Sequence, residues 1–156
     1  MKPKRMTSKT RIWLNQFLPL LEPIHRHFAK KVFHRLMKKS ATLKQSLKRR
    51  SKEYEVLCSI SLDDIRDLFL GSYGKTCKYC TKRLEISNIV CDHIEPLSNG
   101  GESIKSNLQI ICARCNTRKG NLSHSDYKKL LHFLSNQSED LQSYVLRKLS
   151  KGDNFK

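Results

Sequence analysis

A short central segment of the sequence gathers side chains that are suited to hydrolysing a phosphodiester bond. Asp92 and His93 are adjacent, and Asn107 and Asn116 follow 14 and 23 residues after His93. Such a hydrolysis needs a base to activate water and a cation to neutralise charge on the transition state. Imidazole accepts a proton near neutral pH, and carboxylate and amide oxygens are ligands that suit Mg²⁺ or Mn²⁺. The pattern favours metal-assisted hydrolysis, although a lone histidine is more often structural and Asn107 could be a turn residue.

Two C-x-x-C pairs accompany these residues: Cys77 with Cys80 precedes Asp92, and Cys112 with Cys115 lies just before Asn116. Zinc takes four thiolates tetrahedrally, and one C-x-x-C turn lets two sulfur atoms reach the same ion. Four cysteine ligands leave no open position for substrate, so the predicted zinc is structural. Redox-active dithiols are the alternative, but they would not require two pairs at this spacing.

Between the two cysteine pairs the chain reads DHIEP at 92–96 and NLQ at 107–109, and NTRKG at 116–120 directly follows the second pair. These motifs, within about residues 75–121, resemble the HNH nuclease family, in the variant with Asn at the third position and a four-cysteine zinc site. The resemblance implies a ββα-metal module and DNA endonuclease activity. More than half of the chain lies outside it.

The resemblance also implies a role for each motif residue. His93 corresponds to the general base, and Asp92 with Asn116 to the ligands of the catalytic cation. Asn107 corresponds to the middle residue of the motif, whose amide holds the long loop and orients His93. Asn116, which stands where the oldest family pattern has a third histidine, is a harder ligand than imidazole, so Mg²⁺ or Mn²⁺ is expected rather than Ni²⁺ or Zn²⁺ at this site.

The sequence is strongly basic, with a net charge of +17, and residues 1–50 hold fifteen Lys and Arg residues against one acidic residue, a charge of +14. A polyanion is the natural partner of such a surface because each neutralised phosphate releases condensed counterions. We therefore expect DNA, most simply duplex DNA, as the partner, with RNA left open. The candidate contacts are Lys30, Lys31, Arg35, Lys38, Lys39, Arg114, Arg118 and Lys119.

Local patterns in the N-terminal half predict three helices. The first covers residues 12–21, and the second begins at Ile24, where apolar residues recur every four positions between basic ones. That spacing is typical of an amphipathic helix whose apolar stripe packs inward. Ser61 followed by Asp64 resembles a capping box and predicts a helix over 61–70.

The motif residues fall on a predicted strand–loop–strand–helix unit. Residues 87–92 and 108–111 have β character, and a loop rich in Pro, Ser, Asn and Gly joins them over 96–106. A helix is expected over 112–119, ended by Gly120. The catalytic residues would then lie at the end of a strand and on the helix that follows.

The predicted fold class is α+β, a zinc-stapled ββα module between helical flanks. We divide the chain into a basic helical region that binds nucleic acid or a partner (1–52), the nuclease module with its zinc site (53–123) and a C-terminal helical region (124–156). In the last region, helices are expected over 125–135 and 138–150. Most of the affinity for DNA is expected in the first region, separate from the chemistry.

The predicted function is that of a metal-dependent HNH endonuclease from a phage, a mobile element or a restriction or defence system. A non-catalytic zinc-stabilised nucleic-acid-binding module, or a subunit of a larger nuclease complex, is the alternative. Cutting both strands would need a homodimer, a larger complex or two sequential nicks. No run approaches about 18 apolar residues and no secretory signal is apparent, so we expect no membrane partner and a cytoplasmic or nucleoid location. The basic, acid-poor opening residues leave organellar import open.

Overall fold

The computed structural model describes residues 23–151, so the helix predicted over 12–21 lies outside the described residues. Its first element, α1, is a single helix of 31 residues, Pro23–Glu53. Val32, Leu36 and Leu47 are buried along one side of α1, as the apolar periodicity predicted. Lysines and arginines cover much of its solvent-facing side.

A second helix, α2 (Leu62–Ser72), packs against α1. It begins with the predicted capping box: the Asp64 N–H donates to Ser61 Oγ at 3.0 Å, and the Ser61 N–H donates to the Asp64 carboxylate at 3.2 Å. The helix buries Ile65 and Phe69 against the core. Between the two helices, Glu55 has a φ of 55°, a left-handed conformation that turns the chain away from the axis of α1.

Two antiparallel strands and a short helix follow. Strand β1 (Ile89–His93) pairs with β2 (Leu108–Cys112) so that Ile89 lies opposite Cys112 and His93 opposite Leu108. Helix α3 (Ala113–Lys119) begins directly after β2 and ends at Gly120, whose φ is +52°. The predicted strand–loop–strand–helix unit is thus confirmed: β1 begins and ends later than predicted, and β2 begins as predicted and extends to Cys112.

Helices α4 (His124–Ser135) and α5 (Glu139–Ser150) complete the described chain. Helix α5 packs against α3, where Arg118 Nε donates to Ser150 Oγ at 2.6 Å. Helices around a small two-stranded sheet make the fold α+β, as predicted. None of the helices within residues 23–151 is long and apolar enough to cross a membrane.

One buried cluster joins α1 to the strands. Val32, Leu36 and Leu47 of α1 belong to the same core as Ile89 of β1 and Ile111 of β2. The basic helix is therefore part of the hydrophobic core that supports β1, rather than an arm attached to a finished module. Removing α1 would expose apolar side chains of the strands that the helix now helps to bury.

Candidate active site and metal centre

The four cysteines of the two C-x-x-C pairs meet at one point of the fold. Their sulfur atoms all lie within 4.8 Å of one another, and Cys80 Sγ is 3.7 Å from Cys112 Sγ. Cys77, Cys112 and Cys115 are buried, and Cys80 is half-buried. The backbone N–H of Cys112 donates to Cys77 Sγ at 3.4 Å, and the backbone N–H of Cys115 donates to Cys112 Sγ at 3.5 Å. The cysteines are therefore positioned to form a metal site.

The chemistry of this donor set fits a thiophilic cation. Burial raises the pKa of the Cys112 and Cys115 thiols above their ordinary value. Four thiolates this close together would repel one another without a positive charge between them, and a bound metal ion would supply that charge. Cys112 ends β2 and caps α3, so a metal bound there would tie the sheet to the turn that carries Cys77 and Cys80.

A second site lies at the other end of β1. Asp92, His93 and Asn116 line one cavity of about 280 Å³, together with the first turn after α3. The two strand residues are nearly buried, with exposed fractions of 9% for Asp92 and 5% for His93. Asn116 reaches the cavity from α3, one turn before the helix ends. The structure thus brings together the predicted base and both predicted ligands of the catalytic cation.

The Asp92 carboxylate is held by two neighbours. Gln109, opposite Asp92 in the sheet, donates from Nε2 to Asp92 Oδ2 at 3.0 Å. Lys119 Nζ lies 3.1 Å from the same oxygen and also donates to the backbone carbonyl of His93 at 2.8 Å. The Lys119 side chain has no exposed surface. The prediction that Lys119 contacts a phosphate does not fit this position, because its ammonium group is enclosed beneath the cavity.

His93 is oriented by a pair of serines. Its Nε2 atom lies 2.9 Å from Ser103 Oγ, which accepts a hydrogen bond from Ser51 Oγ at 2.7 Å. Burial, reinforced by the positive charges of Arg50 and Lys119, lowers the pKa of His93 to about 4. The imidazole is therefore neutral at neutral pH. If Nε2 carries its hydrogen toward Ser103, then Nδ1 is left as a proton acceptor.

Asn107 holds the loop between the strands, outside the cavity lining. Its Oδ1 accepts from the Glu95 N–H at 2.8 Å, and its Nδ2 donates to the carbonyls of Glu95 at 3.0 Å and Glu102 at 2.8 Å. Gly101 lets the loop close, since a Cβ there would lie 2.0 Å from the Glu95 carbonyl oxygen. The Asn107 amide therefore closes the loop that begins directly after His93.

The remaining predicted nucleic-acid contacts differ in exposure. Lys39 donates to the Ile89 carbonyl at 3.0 Å, and Arg118 is bonded to α5, so both side chains have structural partners. Arg114 is exposed on α3. The other four predicted contacts are exposed along α1: Lys30, Lys31, Arg35 and Lys38.

Several residues of the site were missed by the sequence analysis. Ser103 and Gln109 contact His93 and Asp92, and Arg50 and Tyr54 line the same cavity from the end of α1. Gln109 lies in the NLQ segment at 107–109, but nothing in the sequence pairs it with Asp92, and Ser103, Arg50 and Tyr54 fall in no motif. The pairing of β1 with β2 places Gln109 beside Asp92, and the position of α1 brings Arg50 and Tyr54 to the cavity.

A polar network also links the cysteine turn to the cavity. Tyr79, between Cys77 and Cys80, accepts a hydrogen bond from Gln109 Nε2 at 2.8 Å and lies 2.6 Å from His124 Nδ1. Burial raises the pKa of Tyr79 to about 12, so its hydroxyl keeps a hydrogen to donate to His124. Gln109 thus joins the cysteine turn to Asp92.

The fold and site together define a ββα module that carries a four-cysteine metal site at one end and an Asp–His–Asn cavity at the other. In agreement, residues 77–122 match the model of the HNH endonuclease family. The matched segment is thus similar to HNH endonuclease domains, and it covers both cysteine pairs and all of the predicted motif residues. A search of curated proteins found none that matches the chain.

Proposed function

We propose that this protein is a metal-dependent endonuclease that hydrolyses phosphodiester bonds in DNA. The observation that carries the proposal is the convergence of Asp92, His93 and Asn116 on one cavity within the HNH domain. A protein that only bound nucleic acid would not need a neutral imidazole beside a carboxylate and an amide in a shared cavity.

Asp92 and Asn116 are the proposed ligands of a divalent cation, Mg²⁺ or Mn²⁺. The two residues come from different elements and line the same cavity, and their oxygen donors suit a small, hard ion. When bound, that ion would neutralise charge on the phosphate and on the leaving oxygen. Asp92 is held in place by Gln109 and Lys119, so its carboxylate needs little reorganisation before it binds.

His93 is the proposed general base. Its imidazole is neutral at neutral pH, and Ser103 holds the ring through Nε2. Nδ1 can then take a proton from the water that attacks the phosphorus atom. Asn107 supports this geometry by fixing the backbone of Glu95, two residues after His93.

The four cysteines are the proposed site of a structural zinc ion, with all four coordination positions filled by the protein. DNA is the proposed substrate because exposed basic residues follow α1 toward the cavity.

A supercoiled-plasmid assay tests the proposal. With Mg²⁺ or Mn²⁺, the purified protein should convert supercoiled DNA to nicked or linear DNA, and EDTA should stop the reaction. Asn116→Ala should require a higher Mg²⁺ concentration for half-maximal rate, since it removes one oxygen ligand. DNA binding without cleavage under all of these conditions would instead identify a non-catalytic binding module.

A further inference from the structure

The last turn of α1 forms one wall of the active cavity. Arg50 and Tyr54 line the cavity together with Asp92, His93 and Asn116. The Tyr54 N–H donates to the Arg50 carbonyl at 3.0 Å, so the helical hydrogen-bond pattern continues through Tyr54. Residues four apart in that pattern project from the same side of the helix.

This wall is anchored to the predicted base. Ser51, next to Arg50, is buried and donates to Ser103 Oγ at 2.7 Å, and Ser103 lies 2.9 Å from His93 Nε2. Ser51 also accepts the Val56 N–H at 2.9 Å, which closes the chain behind the turn. The position of the turn relative to His93 is therefore defined by direct contacts rather than by a long flexible connection.

The charge of Arg50 is available for a ligand. Among the residues that the structure describes, no carboxylate forms an ion pair with it, whereas its neighbour Arg49 pairs with Glu53 at 3.6 Å. Arg50 is exposed and lines the cavity that contains Asp92 and His93. An unpaired guanidinium beside a carboxylate–imidazole cavity has the chemistry to bind an anion that enters it.

We propose that Arg50 binds a phosphate of the substrate strand beside the scissile bond, and that Tyr54 packs against the adjoining nucleotide. The inference rests on the proposed nuclease function and extends the site to α1. A guanidinium presents paired N–H donors that match two phosphate oxygens, and a tyrosine ring offers a flat surface to a sugar or base. Helix α1 is then both a support for β1 and a substrate-binding element.

Arg50→Gln and Arg49→Gln form a matched pair of variants. Both remove one positive charge from the same helical turn, but only Arg50 lines the cavity. Steady-state plasmid cleavage with Mg²⁺ gives kcat and KM for each variant, and thermal melting checks that both fold like the wild type. Arg50→Gln should lower kcat/KM by about 100-fold, the order seen when one anion-stabilising donor is removed, while Arg49→Gln should change it by less than about 3-fold.

Binding to a short DNA duplex without added Mg²⁺ or Mn²⁺ supplies a measurement that does not depend on cleavage. Arg50→Gln should lower the slope of log affinity against log salt by about 0.9, the value for one phosphate contact, and Arg49→Gln should leave it unchanged. Arg50→Lys should restore the slope, because lysine returns the positive charge. It should restore only part of kcat, because lysine lacks the paired N–H donors of a guanidinium.

Tyr54→Phe and Tyr54→Ser test the second contact. The phenylalanine variant keeps the ring and should retain KM, whereas the serine variant should raise KM with little change in kcat. Equal effects of the two variants would overturn the packing role.

The failures of the two proposals are distinguishable. The role of Arg50 would be overturned if the wild type cleaves DNA but the Arg50→Gln and Arg49→Gln variants have the same rate and the same salt slope. The nuclease proposal would be overturned if the wild type never cleaves DNA. If its DNA binding still depended on Arg50 and not on Arg49, the phosphate contact would be retained.

Discussion

Lys119 and Asp92 form a buried ion pair beneath the active cavity, with Lys119 Nζ 3.1 Å from Asp92 Oδ2 and no exposed surface on the lysine side chain. The pair joins the end of α3 to the end of β1. Because Lys119 also donates to the His93 carbonyl at 2.8 Å, one ammonium group fixes the backbone of the predicted base and the carboxylate of a predicted metal ligand. Lys119 therefore acts on the site from within the protein.

Lys119→Met should destabilise the protein, because it leaves the Asp92 carboxylate buried without its partner. Breaking a buried pair in this way costs about 3–5 kcal/mol. Denaturant unfolding should show this destabilisation, and Asp92→Asn combined with Lys119→Met should recover part of it. An exposed lysine such as Lys128 serves as the control, since Lys128→Met should change the free energy of unfolding by less than about 0.5 kcal/mol. Additive effects of Asp92→Asn and Lys119→Met would contradict a coupled pair.

The purified protein should hold about one zinc ion per chain, bound tightly by the four cysteines. Cys112→Ser should release the zinc and unfold the module, since the binding energy of a structural zinc contributes directly to folding. Cys58→Ser is the control, because Cys58 lies outside the cluster and should leave the zinc content unchanged. Elemental analysis and thermal melting provide the measurements. A stable fold without zinc would show that the cysteines do not form a structural site.

His93→Ala should abolish detectable cleavage while zinc content and DNA affinity stay near the wild-type values. Loss of a general base lowers the rate by about 10²- to 10⁴-fold. Plasmid cleavage, elemental analysis and DNA binding would be measured on the same preparation. The control is His132→Ala, which alters an exposed histidine of α4 and should cleave at the wild-type rate. If His93→Ala cleaved DNA at the wild-type rate, His93 would not be the general base.

The exposed basic side of α1 should supply part of the DNA affinity. Deleting α1 would not test this, because the helix belongs to the core that supports β1. Replacement of its exposed basic residues by glutamine keeps the helix and should lower the salt slope of DNA binding by about 0.9 for each phosphate that the helix no longer neutralises. The residues to replace together are Lys30, Lys31, Arg35 and Lys38.

A matched set on the C-terminal helices controls for the reduced net charge. It removes four exposed positive charges away from α1: Lys128, Lys129, Arg147 and Lys151. If both sets lowered the slope equally, the attraction would reflect net charge alone, and α1 would not be the DNA-binding surface.

The local structure of this protein could be predicted from short stretches of its sequence. The four-residue apolar period of α1, the capping box at Ser61 and Gly120 after α3 each act within a few residues, so their signals survive without knowledge of the fold. The cysteine pairs and the Asp–His–Asn–Asn motif carry information of the same kind, because zinc and metal-assisted hydrolysis restrict which residue types can serve.

Only the tertiary structure decided which of the basic residues face solvent and which serve the site. Lys119 belongs to the same motif as Asn116, but the close approach of α3 to β1 encloses its ammonium group against Asp92. Arg50 carries no motif, yet the packing of α1 beside the strands brings it to the cavity of His93. These outcomes depend on how elements distant in sequence are oriented in space, and the apolar contacts that set the orientation determine which charged side chains are buried and which remain free for a substrate.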